Sequence, residues 1–210
     1  MAVQTVHLFV FDTLSDWEPA FAVAGINNPA YQKRPGRYRV KTVALNDEPI
    51  VTAGGITVRP DMRLDQCDPE RSAMLILPGG RLWDEGKNTE AAALARRFLA
   101  SGVPVAAICG ATAGLARAGV LDLMRHTSNA PDYLAATKYM GERLYQNRPA
   151  VTDGKLVTAS AMGSLEFAFE IFKLLDVYDD EVLDAWFGLF KTGNPAFFGA
   201  LAQRATASAH

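Results

Sequence analysis

The chain has 210 residues, of which 49% are hydrophobic, so it can bury one sizeable core but has little room for a second full domain. Its formal net charge of -2 gives no electrostatic basis for binding nucleic acid or an anionic membrane surface. Two cysteines exclude a disulfide framework, and no apolar run reaches the roughly 20 residues of a membrane-spanning helix. The N-terminal segment lacks the features of a signal peptide, so we expect a soluble cytoplasmic protein.

Short apolar runs alternate with segments of helical spacing along most of the chain. In chain order they predict a strand at 6–11, a helix at 16–27, a strand at 38–45, a hairpin joining 49–52 to 56–58, a strand at 74–77, a helix at 89–99 and a strand at 103–108. Further along they predict a brief strand or loop at 126–129, a helix at 131–144, a strand at 155–160 and a helix at 164–175. This alternation predicts an α/β fold with a mostly parallel sheet and helices on both faces.

We expect a single domain over residues 1–210, with a core at about 4–176, a C-terminal helical extension at 177–201 and a tail at 202–210. The extension carries negative charge near its start and many aromatic side chains. Two interpretations of these aromatics stay open: the helix packs on the sheet layer, or the aromatics form a subunit interface. Residues 205–210 are expected to be disordered.

Cys109 stands where a predicted buried strand passes directly into a predicted helix. Such a transition needs a sharp, strained turn, and the small residues Gly110, Ala111 and Gly114 permit it. This pattern is typical of a nucleophile elbow, here carrying a thiol at the positive end of a helix, where thiolate is favoured. The alternative is that Cys109 is a small apolar residue that ends a core strand.

The carboxyl ends of parallel strands meet at one edge of a sheet, so Glu18 and the turn that contains Gly80 are expected to lie near Cys109. Glu18 could complete a capping box with Ser15, or its carboxyl could contact the sulfur and hold a proton there. The backbone N–H groups of Gly80 and Gly110 could form an oxyanion hole, with an ordinary strand-ending turn as the alternative.

The histidines offer one further candidate for the site. His126 lies beyond the elbow helix, where it could approach the sulfur or point away from it, whereas His7 lies inside the first strand and is expected in the core. Cys67 lies between two acidic residues, which would raise its pKa. The spacings of cysteine, histidine and acidic residues do not resemble a metal site, and we expect neither metal nor cofactor.

Together, four segments closely resemble the ThiJ/PfpI superfamily, a class I glutamine-amidotransferase-like group that includes the parkinsonism-associated protein, archaeal intracellular proteases, bacterial chaperone/glyoxalases and isocyanide hydratases. The segments are Phe-Asp-Thr-Leu-Ser-Asp-Trp-Glu at 11–18, Leu-Pro-Gly-Gly at 77–80, Ala-Ala-Ile-Cys-Gly at 106–110 and Asp-Gly-Lys-Leu-Val-Thr-Ala-Ser at 153–160. The resemblance implies a flavodoxin-like three-layer sandwich that usually forms a homodimer or a higher oligomer. It also implies a nucleophile at Cys109, a sulfur-contacting acid at Glu18 and oxyanion donors at Gly80 and Gly110.

The chain departs from several branches of that superfamily. The protease-like branch carries histidine directly after the nucleophile, where this chain has Gly110, and many relatives of the parkinsonism-associated protein carry histidine in the segment occupied by Asn129. Glutamine amidotransferases need a His-x-Glu pair, which is missing at 159–166. Protease and glutamine amidotransferase activities are therefore disfavoured, and Asn129 joins His126 as a possible accessory residue.

These features predict a cysteine-dependent enzyme that acts on a small carbonyl or amide compound. Cys109 would attack, Gly80 and Gly110 would hold the oxyanion, and Glu18 would move a proton. Hydration of a reactive aldehyde and hydrolysis of a small amide are the leading reactions. The alternative is a redox or stress sensor, or a chaperone-like protein, whose reactive cysteine is oxidised. The expected partners are a small-molecule substrate and a second copy of the chain.

Overall fold

The computed structural model describes residues 3–207 of the chain. The strands are β1 (Gln4–Phe9), β2 (Tyr38–Ala44), β3 (Ile50–Val51), β4 (Thr57–Val58), β5 (Met62–Arg63), β6 (Ser72–Leu77), β7 (Val105–Ile108), β8 (Ala150–Asp153) and β9 (Leu156–Ala159). The α-helices are α1 (Trp17–Asn27), α2 (Arg81–Asp84), α3 (Thr89–Ala100), α4 (Gly110–Arg117), α5 (Pro131–Ala135), α6 (Ser164–Leu175), α7 (Asp180–Thr192) and α8 (Ala196–Ala207).

Seven of these strands form one sheet in the order β5-β2-β1-β6-β7-β9-β8. Every neighbouring pair is parallel except β8 and β9, which form an antiparallel hairpin at the edge. The predicted α/β fold with a mostly parallel, flavodoxin-like sheet is confirmed, and so is the small hairpin, which β3 and β4 form. The central strands β6 and β7 end at the same edge, because Leu77 pairs with Ala107 two residues before Cys109.

The central strands are apolar because helices cover the sheet. Residues 74–77 and 105–108 are fully buried, as expected for parallel strands covered on both faces. Helices α1 and α6 pack against each other, and α4 packs with α2 and α3. Within the described part of the chain, no helix combines the length and the hydrophobicity needed to cross a membrane.

The prediction of one helix over 131–144 is wrong. Helix α5 ends after five residues, the backbone of Lys138 has a positive φ of 60°, and a short 3₁₀ helix follows at Glu142–Leu144. Gly141 lies close against the backbone of Leu121, since a Cβ built on this glycine would be 2.2 Å from the Leu121 oxygen. Tertiary packing therefore divides a segment whose residue pattern favours a continuous helix.

The C-terminal extension packs on helices rather than directly on the sheet, which corrects one of the two interpretations offered above. The Trp186 ring of α7 meets the rings of Phe21 and Phe172 at centroid distances of 6.2 and 5.0 Å, so α7 lies against α1 and α6. Phe190 and Phe198 remain 54% and 57% exposed. The subunit interface and the homodimer stay predictions.

The last described helix, α8, continues to Ala207. The expected disorder at 205–210 stays a prediction. Residues 208–210 lie outside the described part of the chain.

Candidate active site

Cys109 forms a strained turn between β7 and α4, as predicted for a nucleophile elbow. Its φ of 56° and ψ of -126° lie in a region that non-glycine residues rarely adopt. Hydrogen bonds hold this backbone from two sides. Cys109 N–H donates to the Ala159 oxygen at 3.0 Å, and the Thr112 hydroxyl donates to the Cys109 oxygen at 2.6 Å. Cys109 as a residue is half-buried.

The strain at Cys109 predicts an unusual order of stability among substitutions. Glycine adopts a positive φ without a Cβ clash. We therefore expect Cys109→Gly to be more stable than Cys109→Ala, with a free energy of unfolding about 1 kcal/mol higher. Denaturant unfolding of the two variants measures the difference. Ala107→Gly, in the unstrained part of β7, is the matched control and should be destabilised. If Cys109→Ala were more stable than Cys109→Gly, the result would contradict backbone strain at Cys109.

Glu18 is buried beside Cys109 and does not form the capping box considered above. Its side chain is 1% exposed, and its Oε2 accepts a hydrogen bond from Gly79 N–H at 2.5 Å. The backbone N–H of Ser15 donates to the Gly79 oxygen at 3.0 Å, so the donor that a capping box requires is already used. Glu18 Oε1 is buried and lacks a well-formed hydrogen bond within residues 3–207.

Gly79 allows the carboxyl and the thiol to approach each other. A Cβ built on Gly79 would lie 2.6 Å from both the Cys109 Cβ and Glu18 Oε2, and 3.0 Å from the sulfur. Any larger residue would therefore displace one of the two groups. The turn after β6 thus supplies the space in which Glu18 and Cys109 interact.

Asn129 donates a hydrogen bond to the sulfur. Its Nδ2 lies 3.3 Å from Cys109 Sγ, and its Oδ1 accepts from Ala161 N–H at 2.9 Å. The second bond fixes the orientation of the amide, since only the oxygen can accept from a backbone N–H. Asn129 therefore presents its NH₂ group to the sulfur, where it favours negative charge.

Removal of this donor is expected to slow reactions of the thiol. We expect Asn129→Ala to reduce the rate at which iodoacetamide alkylates Cys109 by about ten-fold, because one hydrogen bond to a developing charge is worth roughly 1.5–3 kcal/mol. The rate is followed by intact mass at fixed pH. Asn46→Ala, on an exposed loop, serves as the control. An unchanged alkylation rate in Asn129→Ala would show that the amide does not influence the sulfur.

Burial is the largest influence on the pKa values of Glu18 and Cys109. It raises the pKa of Glu18 to about 7, although the Gly79 N–H acts in the opposite direction. Burial, followed by the charge of Glu18, raises the pKa of Cys109 to about 12, while the Asn129 amide and the Gly110 N–H act to lower it. Both shifts disfavour the state in which the acid and the thiol are ionised together, because two adjacent buried anions repel each other.

Gly80 and Gly110 meet next to the sulfur. A Cβ built on Gly110 would lie 3.4 Å from the Gly80 nitrogen and 3.1 Å from its oxygen. Trp83 is fully buried behind this contact, and its indole N–H donates to the Pro78 oxygen at 2.9 Å. The two glycines predicted as oxyanion donors therefore come together at the elbow.

His126 belongs to a separate hydrogen-bonded cluster. It is fully buried, its Nδ1 lies 2.7 Å from the Met124 oxygen, and its Nε2 lies 2.9 Å from the Tyr139 hydroxyl. Both ring nitrogens are thus engaged away from Cys109. The structure places His126 as a support for the segment that leads to Asn129.

Tyr133 is a neighbour of the site that sequence analysis missed. Its hydroxyl donates to Asp84 Oδ1 at 2.5 Å, and the phenol interacts electrostatically with Cys109. This bond joins α5, which follows Asn129, to α2, which follows Gly80. The sequence analysis placed this residue inside the helix predicted over 131–144, where nothing in the pattern distinguishes it from its neighbours.

The second cysteine, Cys67, is buried, and its surroundings disfavour the thiolate. Cys67 is 3% exposed, and burial, with a contribution from Asp65, raises its pKa to about 11. Within residues 3–207, no group of three or more histidine, cysteine or acidic side chains is arranged to hold a metal ion.

Comparison with known proteins places this site in a family. The chain is 42% identical over 201 residues to the uncharacterized protease YoaZ of Bacillus subtilis, covering 94% of this chain and 96% of that protein. The structure of a thiJ/pfpI family protein from Bacillus anthracis matches with a TM-score of 0.90 and 41% identity, covering 97% and 99% of the two chains. The deglycase PH1704 of Pyrococcus horikoshii is 32% identical over 101 residues, covering 48% of this chain and 61% of that protein. Since the DJ-1/PfpI family model also matches residues 4–174, the chain belongs to the DJ-1/PfpI family.

Proposed function

We propose that this protein is a cysteine-dependent enzyme that acts on a small reactive carbonyl compound, a 2-oxoaldehyde being the simplest case. The observation that carries the proposal is the arrangement at the elbow: a strained, half-buried Cys109 contacted by the Glu18 carboxyl and the Asn129 amide. An apolar residue that merely ends a strand would need neither the strain nor the buried acid.

In the first step the Cys109 sulfur forms a bond to the aldehyde carbon. The thiol proton passes to Glu18, and the π electrons of the carbonyl move to its oxygen. The resulting oxyanion develops next to Gly80 and Gly110, whose N–H groups would stabilise it. Glu18 has a pKa of about 7, so above that pH its carboxylate is available as the base.

In the following steps Glu18 moves a proton between carbons. It returns its proton to the oxygen and then removes the proton from the former aldehyde carbon; the electron pair of that C–H bond forms a carbon–carbon double bond, and the adjacent carbonyl becomes an enolate. Glu18 delivers the proton to the adjacent carbon, while the hydroxyl proton of the former aldehyde moves to the enolate oxygen and the thioester carbonyl forms. The aldehyde carbon is thereby oxidised and its neighbour reduced, leaving a thioester of a 2-hydroxy acid on Cys109. Water then cleaves the thioester and regenerates the thiol. The net reaction consumes one water and needs no external oxidant.

Two observations support carbonyl chemistry over the alternatives. A relative is named a deglycase, and burial raises the pKa of the Glu18 carboxyl beside Cys109 to about 7, which suits a general base near neutral pH. Gly110 follows the nucleophile, so the Cys-His dyad expected of a protease is missing.

Turnover of methylglyoxal by the purified protein tests the proposal. We expect formation of lactate at a rate that rises as the pH passes about 7, because Glu18 must lose its proton to act as the base. A parallel sample treated with peroxide is analysed by intact mass. Selective oxidation of a single cysteine without turnover of methylglyoxal or a simple amide would favour the sensor and overturn the enzyme.

A further inference from the structure

A second concave site lies at the edge of the sheet, away from the elbow. It is a groove of about 450 Å³ between the edge strand β8 and helix α6, a size suited to a small molecule. Strand β9 separates β8 from β7, which leads to Cys109. The polar residues that line this edge groove are Arg125, Gln146, Arg148, Thr152, Glu170 and Lys173.

The charges of the edge groove are unevenly paired. Arg125 donates to Asp153 at 3.0 Å, and the Thr152 hydroxyl donates to Glu170 Oε2 at 2.6 Å. By contrast, neither Arg148 nor Lys173 forms an ion pair with any carboxylate in the described residues. Two exposed cations of the groove therefore lack an ion-pair partner among the described residues, and such cations attract an anionic ligand.

The polar groups also indicate what the rest of that ligand contains. A guanidinium and an ammonium suit the oxygens of a phosphate, because Arg148 can donate two parallel hydrogen bonds while Lys173 adds a mobile point charge. The Glu170 carboxylate and the Gln146 amide offer acceptors for hydroxyl groups. A carboxylate so close would repel a ligand that carried only negative charge.

We propose that the edge groove binds a small phosphorylated polyol, with its phosphate on Arg148 and Lys173 and its hydroxyl groups towards Glu170 and Gln146. Thr152 supports this arrangement by donating a hydrogen bond to Glu170 Oε2. The proposal is independent of the chemistry at Cys109, since the groove and the elbow have no lining residue in common.

Isothermal titration calorimetry with ribose 5-phosphate as the probe tests the proposal. We expect saturable binding of one molecule per chain, weakened at least about ten-fold in the double variant Arg148→Gln/Lys173→Gln, which loses two charged contacts. The matched control is Arg59→Gln/Arg96→Gln, which removes two positive charges at exposed positions elsewhere. The control should bind within about two-fold of the parent protein if the contacts are specific.

Three outcomes would overturn the proposal. One is a lack of saturable binding to a protein whose circular dichroism shows that it is folded. Another is an equal loss of affinity in the control, which would indicate non-specific attraction by net charge. The third is binding of inorganic phosphate as tight as that of ribose 5-phosphate, which would leave the hydroxyl contacts without a role. A Glu170→Gln variant should bind ribose 5-phosphate more weakly than the parent protein does, but its affinity for inorganic phosphate should not fall.

Discussion

Cys109→Ser is expected to lower the turnover of methylglyoxal by at least about 1,000-fold. Serine keeps a nucleophilic atom at the elbow, but its hydroxyl is a far weaker acid than a thiol. Glu18, with a pKa of about 7, cannot remove that proton efficiently, so the attacking oxygen would remain neutral. The substitution is nearly isosteric and leaves the strained backbone in place, so a folded but inactive protein is expected.

Initial rates at about pH 8, where Glu18 is ionised, measure the effect of Cys109→Ser. Cys67→Ser provides the control, because this second cysteine is buried far from the elbow and should retain full activity. Circular dichroism and thermal unfolding establish that both variants are folded. If Cys109→Ser kept more than about a tenth of the parent rate, the result would contradict a mechanism in which the Cys109 sulfur bonds to the substrate.

Glu18→Gln is expected to stabilise the protein while it impairs catalysis. Burial raises the pKa of Glu18 from 4.5 to about 7, so at neutral pH the folded protein carries a carboxylate that would be more stable in the unfolded chain. At pH values above the pKa of Glu18 in the folded state, a shift of this size destabilises the folded protein by roughly 3 kcal/mol. Glutamine avoids the charge and can still accept the Gly79 hydrogen bond, so we expect a gain of about 2 kcal/mol at pH 8.

The pH dependence of this gain identifies its cause. Below about pH 4 both states of the parent protein are protonated at Glu18, and the two proteins should be equally stable. As the pH rises from 4.5 through about 7, Glu18 ionises first in the unfolded chain. The parent protein should therefore become progressively less stable than the variant. Urea unfolding at several pH values gives the two curves. A difference that does not change with pH would exclude titration of Glu18 as its origin.

The same variant should lose turnover by about 100-fold or more, because glutamine cannot accept the thiol proton. The fall in activity and the rise in stability are expected together, as is common where a buried group serves function at the expense of stability. Glu166→Gln is the matched control, since Glu166 lies at the start of α6 and pairs with Lys191. It should leave the rate of turnover unchanged.

The sheet could be predicted from the sequence because its strands are buried on both faces. Continuous apolar runs such as residues 74–77 leave little alternative to a covered parallel strand. The edge strand β8 was not predicted, since its four residues lack the periodicity of a longer element. Likewise the end of α5 depends on the packing of Gly141 against Leu121, which local residue preferences do not report.

The position of the site could be predicted, but its protonation could not. The elbow at Cys109 and the nearby Glu18 follow from the order of strand, turn and helix, because parallel strands end at one edge. Sequence patterns contain no measure of burial, so they could not show that the acid and the thiol are both desolvated. They also could not decide whether Asn129 or His126 contacts the sulfur. In the structure the Asn129 amide donates to the sulfur, and the His126 imidazole lies in a separate hydrogen-bonded cluster.

The most direct test of the shared proton is ultraviolet titration of the Cys109 thiolate in a Cys67→Ala background. We expect the sulfur to remain a thiol from about pH 6 to 9, and to ionise at lower pH in Glu18→Gln, because that change removes the neighbouring negative charge. A thiolate that forms below about pH 7 in the parent protein, and whose pKa rises in Glu18→Gln, would contradict the assignment of Glu18 as the base.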